Sequence, residues 1–223
     1  MRINRFVALG TGMSRRTADT VISEGAVLIN GAVAQPSSQV KDTDEVTLDG
    51  QVITAPGKLL TVMLNKPTNC VVSRDGQGSH TIYDLLPAEL QNLKPVGRLD
   101  KDSSGLLLLT NDGELAHELT HPSFQKVKQY EVALRQPLQP LHRQMIAEMG
   151  ITLEDGQSKL GLERINDGDD TRWLVTMREG RNRQIRRTFS ALGYTVTQLH
   201  RTVFGNYSLG DLKPGKYQTI EKN

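Results

Sequence analysis

The chain predicts an α+β fold in two parts. A small N-terminal unit of two helices plus hairpins precedes a larger domain built on an extended mixed, largely antiparallel sheet with flanking helices. Three observations carry this reading. Strand-like and helix-like runs alternate irregularly, so no regular right-handed βαβ series can be laid over them. The pairs Asn30-Gly31 and Asp49-Gly50 each sit between short apolar runs, the pattern of tight two-residue hairpin turns. Leu106 to Leu109, bounded by Gly105 and by Asn111-Asp112-Gly113, show no alternation and read as a strand buried on both faces.

In the first part, Ile3, Phe6 and Val7 share one helical face, and Gly10 and Gly12 end that helix. Ser14 is the expected N-cap of a second helix whose apolar positions are Ala18, Val21 and Ile22, closed by Gly25. The two hairpins follow. The segment Thr54-Ala55-Pro56-Gly57-Lys58 contains a Pro-Gly turn that neither a helix nor a strand tolerates, so the boundary is set there, giving domains 1–57 and 58–223.

In the second part, Leu59 to Pro67 is a strand stopped by proline, and Asn92 to Leu99 leads another towards Asp100. Gln129 to Leu134 alternates cleanly, with Tyr130, Val132 and Leu134 on one face. Arg172 to Met177, Tyr194 to Leu199 and Tyr217 to Ile220 complete the strands. Helices are expected over Glu114 to Thr120 behind an Asn111 or Asp112 cap, over Leu141 to Met149, and over Arg183 to Leu192, capped by Asn182 and stopped by Gly193. Gly161, Gly168 and Gly180 fall in polar turns, without the spacing of a nucleotide-binding loop.

Composition narrows the function classes. The 223 residues are 37% hydrophobic and 23% charged, as in an ordinary globular protein. Lys+Arg 27 against Asp+Glu 25 leaves a net charge of only +2, so a nucleic-acid partner has to be argued from local charge. Cys70 is the only cysteine, which excludes an intramolecular disulfide and a thiolate metal cluster. The apolar run Phe6 to Gly12 is too short for a signal peptide, and no stretch approaches the roughly 20 residues of a membrane span. A cytoplasmic protein is expected by elimination, with no membrane partner.

Local charge is informative where the total is not. Between Arg178 and Arg187 stand Arg178, Arg181, Arg183, Arg186 and Arg187 against Glu179 alone. Guanidinium groups crowded at a helix entry beside a glycine suit phosphate, or a buried carboxylate, better than an ordinary solvated face. The front of the chain is different: over residues 1–60, six basic and six acidic residues cancel. Arg15 and Arg16 nevertheless open a helix, where the dipole disfavours a cation, which mildly favours an external anion.

The segment Val96-Gly97-Arg98-Leu99-Asp100-Lys101-Asp102-Ser103-Ser104-Gly105 holds a carboxylate just before the leucine strand. On the residues alone two readings stay open. Asp100 is a carboxylate poised on a rigid floor, or Asp100 and Asp102 are turn formers that satisfy backbone N–H groups. No other constellation competes. His117 and His121 are spaced i,i+4, but Pro122 puts the second at a helix end and no third ligand is suggested. Asp102 is too near Asp100 to oppose it across a sugar as in a glycosidase.

The string from Val96 to Glu114 closely resembles the signature of bacterial ribosomal-RNA pseudouridine synthases of the RsuA/RluB/RluE/RluF type. The resemblance continues in order through Asn65-Lys66-Pro67, Leu115 to Pro122, Lys128-Gln129-Tyr130 and Glu179 to Arg187, and so covers nearly the whole chain. The front part, with its Ser-Arg-Arg helix and Asn-Gly hairpin, resembles an S4 RNA-binding domain.

The resemblance implies site-specific isomerisation of uridine to pseudouridine in ribosomal RNA, without cofactor or metal. Asp100 matches the catalytic residue, Arg186 the arginine paired with it, and Tyr130 the tyrosine that stacks on the target uracil. Ile185 matches a base-pocket position, and Lys66 and Arg98 are expected substrate contacts. Arg181 and Arg183 are expected on the RNA backbone, and Arg15 and Arg16 on folded RNA. The expected partner is ribosomal RNA or a pre-ribosomal particle, with a monomeric protein. The order Gly12-Met13-Ser14-Arg15-Arg16 and the Glu24 to Gly31 hairpin favour 23S over 16S rRNA. An alternative of another class is a non-catalytic S4-type assembly factor. Two departures stand out: Thr68-Asn69 follows Pro67 where a glycine is usual, and Ser103-Ser104 replaces a threonine-containing pair.

Overall fold

The computed structural model describes residues 1–54, 57 and 59–221. Ala55, Pro56 and Lys58, all within the expected linker, lie outside the described residues, as do Lys222 and Asn223. Contacts divide the chain into two compact units, one ending at Leu59 and the other starting at Leu60.

The first unit opens with α1 (Ile3–Thr11) and α2 (Arg15–Ser23). Gly12 ends α1 in the left-handed region, and its N–H returns to the carbonyl of Ala8. Ser14 caps α2 by accepting from the Thr17 N–H at 3.0 Å. Strands β1 (Val27–Ile29), β2 (Ala32–Val33), β3 (Val46–Leu48) and β4 (Gln51–Ile53) form an antiparallel sheet in the order β2-β1-β3-β4. Asn30 and Gly31 have φ of 51° and 81°, and Asp49 and Gly50 have 49° and 78°, so both turns carry the paired positive φ that such pairs are chosen for. Ile3, Phe6 and Val7 from α1 meet Ala18 and Ile22 from α2 over Val27 and Val46.

The second unit holds β5 (Thr61–Lys66), β6 (Lys94–Pro95), β7 (Ser104–Thr110), α3 (Gly113–Thr120), β8 (Lys128–Leu134) and α4 (Pro140–Gln144). It continues with β9 (Ile151–Leu153), β10 (Gly156–Ser158), β11 (Gly161–Arg164), β12 (Arg172–Met177), α5 (Gln184–Ser190), β13 (Val196–Phe204), β14 (Tyr207–Ser208) and β15 (Tyr217–Ile220). The main sheet runs β11-β12-β8-β13-β7-β5-β15, with β14 on β13 and β6 on β7. Every pairing in it is antiparallel except that of β13 with β7.

That one parallel seam is short, joining His200 to Ser104 and Arg201 to Gly105. Glycine is required there. Gly105 has φ +103°, and a Cβ on it would lie 2.2 Å from the carbonyl oxygen of Arg201. The leucine strand is buried as expected and divides its side chains between two cores. Leu107 and Leu109 join the larger cluster with Val132, Trp173 and Phe189, while Leu106 and Leu108 pack with Leu115, Leu119 and Phe204 on the other face.

Several element expectations need correction. The run Asn92 to Leu99 is not one strand: only Lys94–Pro95 pairs with β7, because Pro95 has no N–H to give and Gly97 turns the chain at φ 72°. Asn182 does not cap the last helix. Arg183 is its N-cap residue in a left-handed conformation, and the Arg181 N–H is met by Gln184 Oε1 at 3.1 Å instead. Gly161 begins β11 rather than sitting in a polar turn. The helix from α4 widens into a π turn over Met145–Met149, and β13 runs five residues beyond Leu199. Among the described residues, no helix is long and apolar enough to cross a membrane.

Candidate active site

The loop between β6 and β7 presents Asp100. Its backbone turns tightly, with the Ser103 N–H on the Asp100 carbonyl at 3.1 Å. Three braces hold it. From below, the Lys66 ammonium donates to the carbonyls of Ser103 at 2.7 Å and Pro67 at 2.9 Å. From the side, the Asn69 N–H meets the Lys101 carbonyl at 2.8 Å. Asn69 has φ 60°, so the asparagine that stands where a glycine is usual takes up the left-handed turn itself. From α5, Arg183 and Arg186 reach over to the two aspartates.

Those arginines divide the carboxylates differently from the expected scheme. Arg183 Nη1 is 3.2 Å from Asp100 Oδ2, and the same guanidinium grips Asp102 through two bonds of 3.1 and 3.0 Å. Arg186 makes its ion pair with Asp102 at 3.3 Å. It also donates to the Asp102 carbonyl at 3.0 Å and the Val196 carbonyl at 2.9 Å. The direct partner of Asp100 is therefore Arg183, and Arg186 ties the loop to β13. Arg183 is the left-handed N-cap residue and Arg186 lies in the first turn of α5, so both side chains start from the helix entry and reach the same turn. Hydrogen bonding from Arg183, foremost, holds the Asp102 carboxyl below its ordinary value, with burial opposing and the charges of Arg186 and Arg183 adding.

Asp100 opens onto a cleft of about 510 Å³. Leu99, Tyr130, Met177, Ile185 and Leu199 give it an apolar wall. Tyr130 projects from β8 at 8% exposure, and its hydroxyl has no hydrogen-bond partner among the described residues. Ile185 points in from α5, 3% exposed. Such a slot fits a flat ring inserted beside a carboxylate.

The remaining expected contacts separate. Arg98 is exposed on the cleft wall, as a substrate contact must be. Lys66 is fully buried, so it is a positioning residue under the Asp100 loop and not a substrate contact. Burial, foremost, pulls its pKa down to about 8, with Cys70, Asp100 and Asp102 opposing. Arg181 is spent within the fold: it donates to the carbonyls of Asp155, Gly156 and Gln157 and to the carboxylates of Asp155 and Glu179. Both guanidiniums expected on an RNA backbone are thus engaged within the fold, Arg183 with the two aspartates. Arg15 and Arg16 are exposed in the first unit, Arg15 donating to Asn4 at 3.3 Å.

Sequence reasoning read Asp102 only as a turn former, quoted Lys128 only within the Lys128-Gln129-Tyr130 match, and passed over Arg201. Asp102 carries no local signal, since its partners Arg183 and Arg186 stand some eighty residues away. For Arg201 the signal was a charged residue between Leu199 and Phe204 in one strand. His117 and His121 stack at 4.8 Å between ring centroids, and His121 Nδ1 pairs with Ser123 Oγ at 2.8 Å.

The family model described as RNA pseudouridylate synthase matches residues 60–191, and that of the S4 domain matches residues 1–46. The ribosomal large subunit pseudouridine synthase B of Xanthomonas campestris pv. campestris is 37% identical over 93% of this chain and 44% of its own length. The chain thus spans less than half of that relative. The ribosomal small subunit pseudouridine synthase A of Haemophilus influenzae is 34% identical over 100% of this chain and 97% of its own. A crystal structure of a pseudouridylate synthase superposes with a TM-score of 0.70 at 35% identity, covering 99% of this chain and 96% of that one.

Proposed function

The chain belongs to the RNA pseudouridylate synthase family, and we propose from that premise that it isomerises uridine to pseudouridine in ribosomal RNA, with Asp100 as the catalytic residue. The observation that carries the reading is the placement of Asp100. A half-buried carboxylate is fixed at the mouth of an apolar slot by a loop braced from three sides, with a single guanidinium on one of its oxygens. Preorganisation of this kind is what a reaction at a sugar–base bond needs from a carboxylate.

The isomerisation breaks the N1–C1′ bond, turns the uracil and closes C5 onto C1′; the C5 proton is lost and N1 gains one. No electrons leave or enter. Asp100 starts it by attack at C1′, by removing the 2′ proton, or by attack at C6, and each route uses the carboxylate that Arg183 meets at 3.2 Å. Tyr130 stacks on the base and is placed to receive the C5 proton, Ile185 closes the slot, and Arg186 holds the loop to β13. The base has to leave its stack to enter, so the target is flipped or already unpaired. Residues 1–57 serve as an RNA-binding module, with Arg15 and Arg16 on phosphates, and residues 58–223 carry the chemistry.

Between subunits, 23S rRNA is the first reading, on the order of residues Gly12 to Arg16 and the Glu24 to Gly31 hairpin. A second reading, 16S rRNA, is favoured by the relative from Haemophilus influenzae, which matches along nearly its full length and carries the small-subunit name. The test is to incubate the protein with modification-free 16S and 23S rRNA and map pseudouridine by carbodiimide-stop sequencing. One modified site in 23S is expected. Modification confined to 16S overturns the choice of subunit. No pseudouridine in either RNA overturns the reading and leaves the non-catalytic assembly factor.

A further inference from the structure

Arg201 and Lys128 lie on the cleft face of β13 and β8 and carry charge that the fold leaves unanswered. Arg201 stands opposite Tyr130 in the register, and Phe204 stands opposite Lys128. Both cations lie over the Phe204 ring, Arg201 Cζ at 4.6 Å and Lys128 Nζ at 5.4 Å from its centroid. Arg201 is 3% exposed. Its Nε donates to the Leu106 carbonyl at 2.8 Å across the seam, while its Nη2 is buried with no hydrogen-bond partner. Lys128 makes only long contacts of 3.4 Å to the carbonyls of Lys126 and Glu179. Among the described residues, no carboxylate forms an ion pair with either group.

A buried guanidinium beside a half-buried ammonium, with no ion-paired carboxylate among the described residues, is costly, and native proteins rarely leave a guanidinium nitrogen unbonded. Three other cations of the cleft are engaged within the fold. Arg183 serves Asp100 and Asp102, Arg181 serves the β9–β10 turn, and Lys126 pairs with Glu118 at 2.6 Å. Burial, and next the charge of Arg201, hold the Lys128 pKa below its ordinary value, with the charge of Glu179 opposing.

We propose that Arg201 Nη2 and Lys128 Nζ form a subsite for one backbone phosphate flanking the uridine held against Tyr130. This rests on the reading of the cleft as the uridine site. A guanidinium and an ammonium that line one cleft over the same Phe204 ring suit a phosphate oxygen pair, and the register places Arg201 opposite the ring on which the base stacks. Binding there would locate the flipped nucleotide by its backbone, independently of the base and of the exposed Arg98.

The test uses the full chain and a short RNA containing the mapped uridine, made with a neutral methylphosphonate at each flanking phosphate in turn. Under single-turnover conditions, one of the two replacements is expected to raise the half-saturating protein concentration about tenfold for the wild type and less than about twofold for Lys128→Gln. A merely structural role for Lys128 predicts equal factors in both proteins, and that result overturns the subsite, as does a wild type indifferent to both replacements. Arg201→Lys, which keeps a donor for the Leu106 carbonyl, is the second variant. If it fails to fold, Lys128→Gln decides alone. If the wild type forms no pseudouridine in any ribosomal RNA, the functional reading fails separately. The subsite is then tested with inorganic phosphate: thermal stabilisation beyond that of chloride at equal ionic strength, lost in Lys128→Gln, upholds it, and no such stabilisation overturns it.

Discussion

Replacing Lys66 by methionine removes a charge from the floor of the site and should change how stability depends on pH. The Lys66 ammonium has no exposed surface, and burial brings its pKa from 10.5 to about 8. At 1.36 kcal/mol per unit, that displacement means the fold penalises the charged form by about 3 kcal/mol relative to the unfolded chain. Below the folded value the lysine is charged in both states and the penalty is complete. As pH rises through about 8, the native protein releases the proton while the unfolded chain keeps it up to 10.5. The unfolded state then binds more protons, so stability rises with pH. Between about pH 7 and about pH 9 the gain from this group is about 1.3 kcal/mol.

Urea unfolding of the wild type and Lys66→Met at those two pH values reads the difference directly, with the slope m checked for constancy. Cys70, whose thiol burial pushes up, acts in the opposite direction above 9.0. Lys128, which is pulled down by burial, acts in the same direction as Lys66. Lys128 remains in the variant and cancels in the comparison; Cys70, which the Lys66 charge pulls down in the wild type alone, is removed from it by repeating the pair in a Cys70→Ala background. Equal pH dependence in the two proteins would refute the claim that Lys66 is a buried cation under the Asp100 loop. Retention of full catalytic rate by Lys66→Met would refute its positioning role.

Other predictions follow from the same geometry. Gly105→Ala should cost about 3 kcal/mol or more, because a side chain at φ +103° meets the backbone of Arg201 at 2.2 Å, and denaturant titration should show it. Wild-type stability in that variant would mean the seam can open. Arg183→Gln should lower the saturated single-turnover rate about tenfold or more with little change in stability, its side chain being 43% exposed. Arg186→Gln, with a side chain 12% exposed, should lower both. Indistinguishable profiles in rate and thermal unfolding would undo the division between them. Arg15→Ala with Arg16→Ala should weaken binding to ribosomal RNA and flatten its salt dependence while the saturated rate stays nearly unchanged. A matching loss of saturated rate would show that the first unit takes part in the chemistry.

The first unit was legible because its signals are local. Ser14, Gly12 and the two Asx-Gly turns each act within a few residues, and each is where pattern and turn chemistry put it. The leucine strand was legible because continuous burial leaves no other option for a short apolar run. What could not be read is long-range. Asp102 reads as a turn former until Arg183 and Arg186, some eighty residues later, are brought onto it. Lys66 looks like a surface lysine beside a proline until the loop at Ser103 closes over it. The arginine cluster was located correctly, yet its members were misassigned because sequence cannot say which guanidinium a folded hairpin consumes; Arg181 is taken by the turn at Asp155 to Gln157. Arg201 was overlooked because a basic residue in a strand is ordinarily on the solvent face, and only the pairing with Tyr130 turns it inward.

The measurement that bears most directly on the account is release of hydrogen from C5. Ribosomal RNA transcribed with uridine tritiated at C5 loses one tritium to water for every uridine isomerised, whichever route Asp100 takes. The wild type should release tritium in proportion to the pseudouridine mapped in the same RNA, and Asp100→Asn, which keeps the shape of the side chain but not its charge, should release none above background while still binding the RNA. Tritium release by Asp100→Asn at the wild-type rate would contradict the assignment of Asp100.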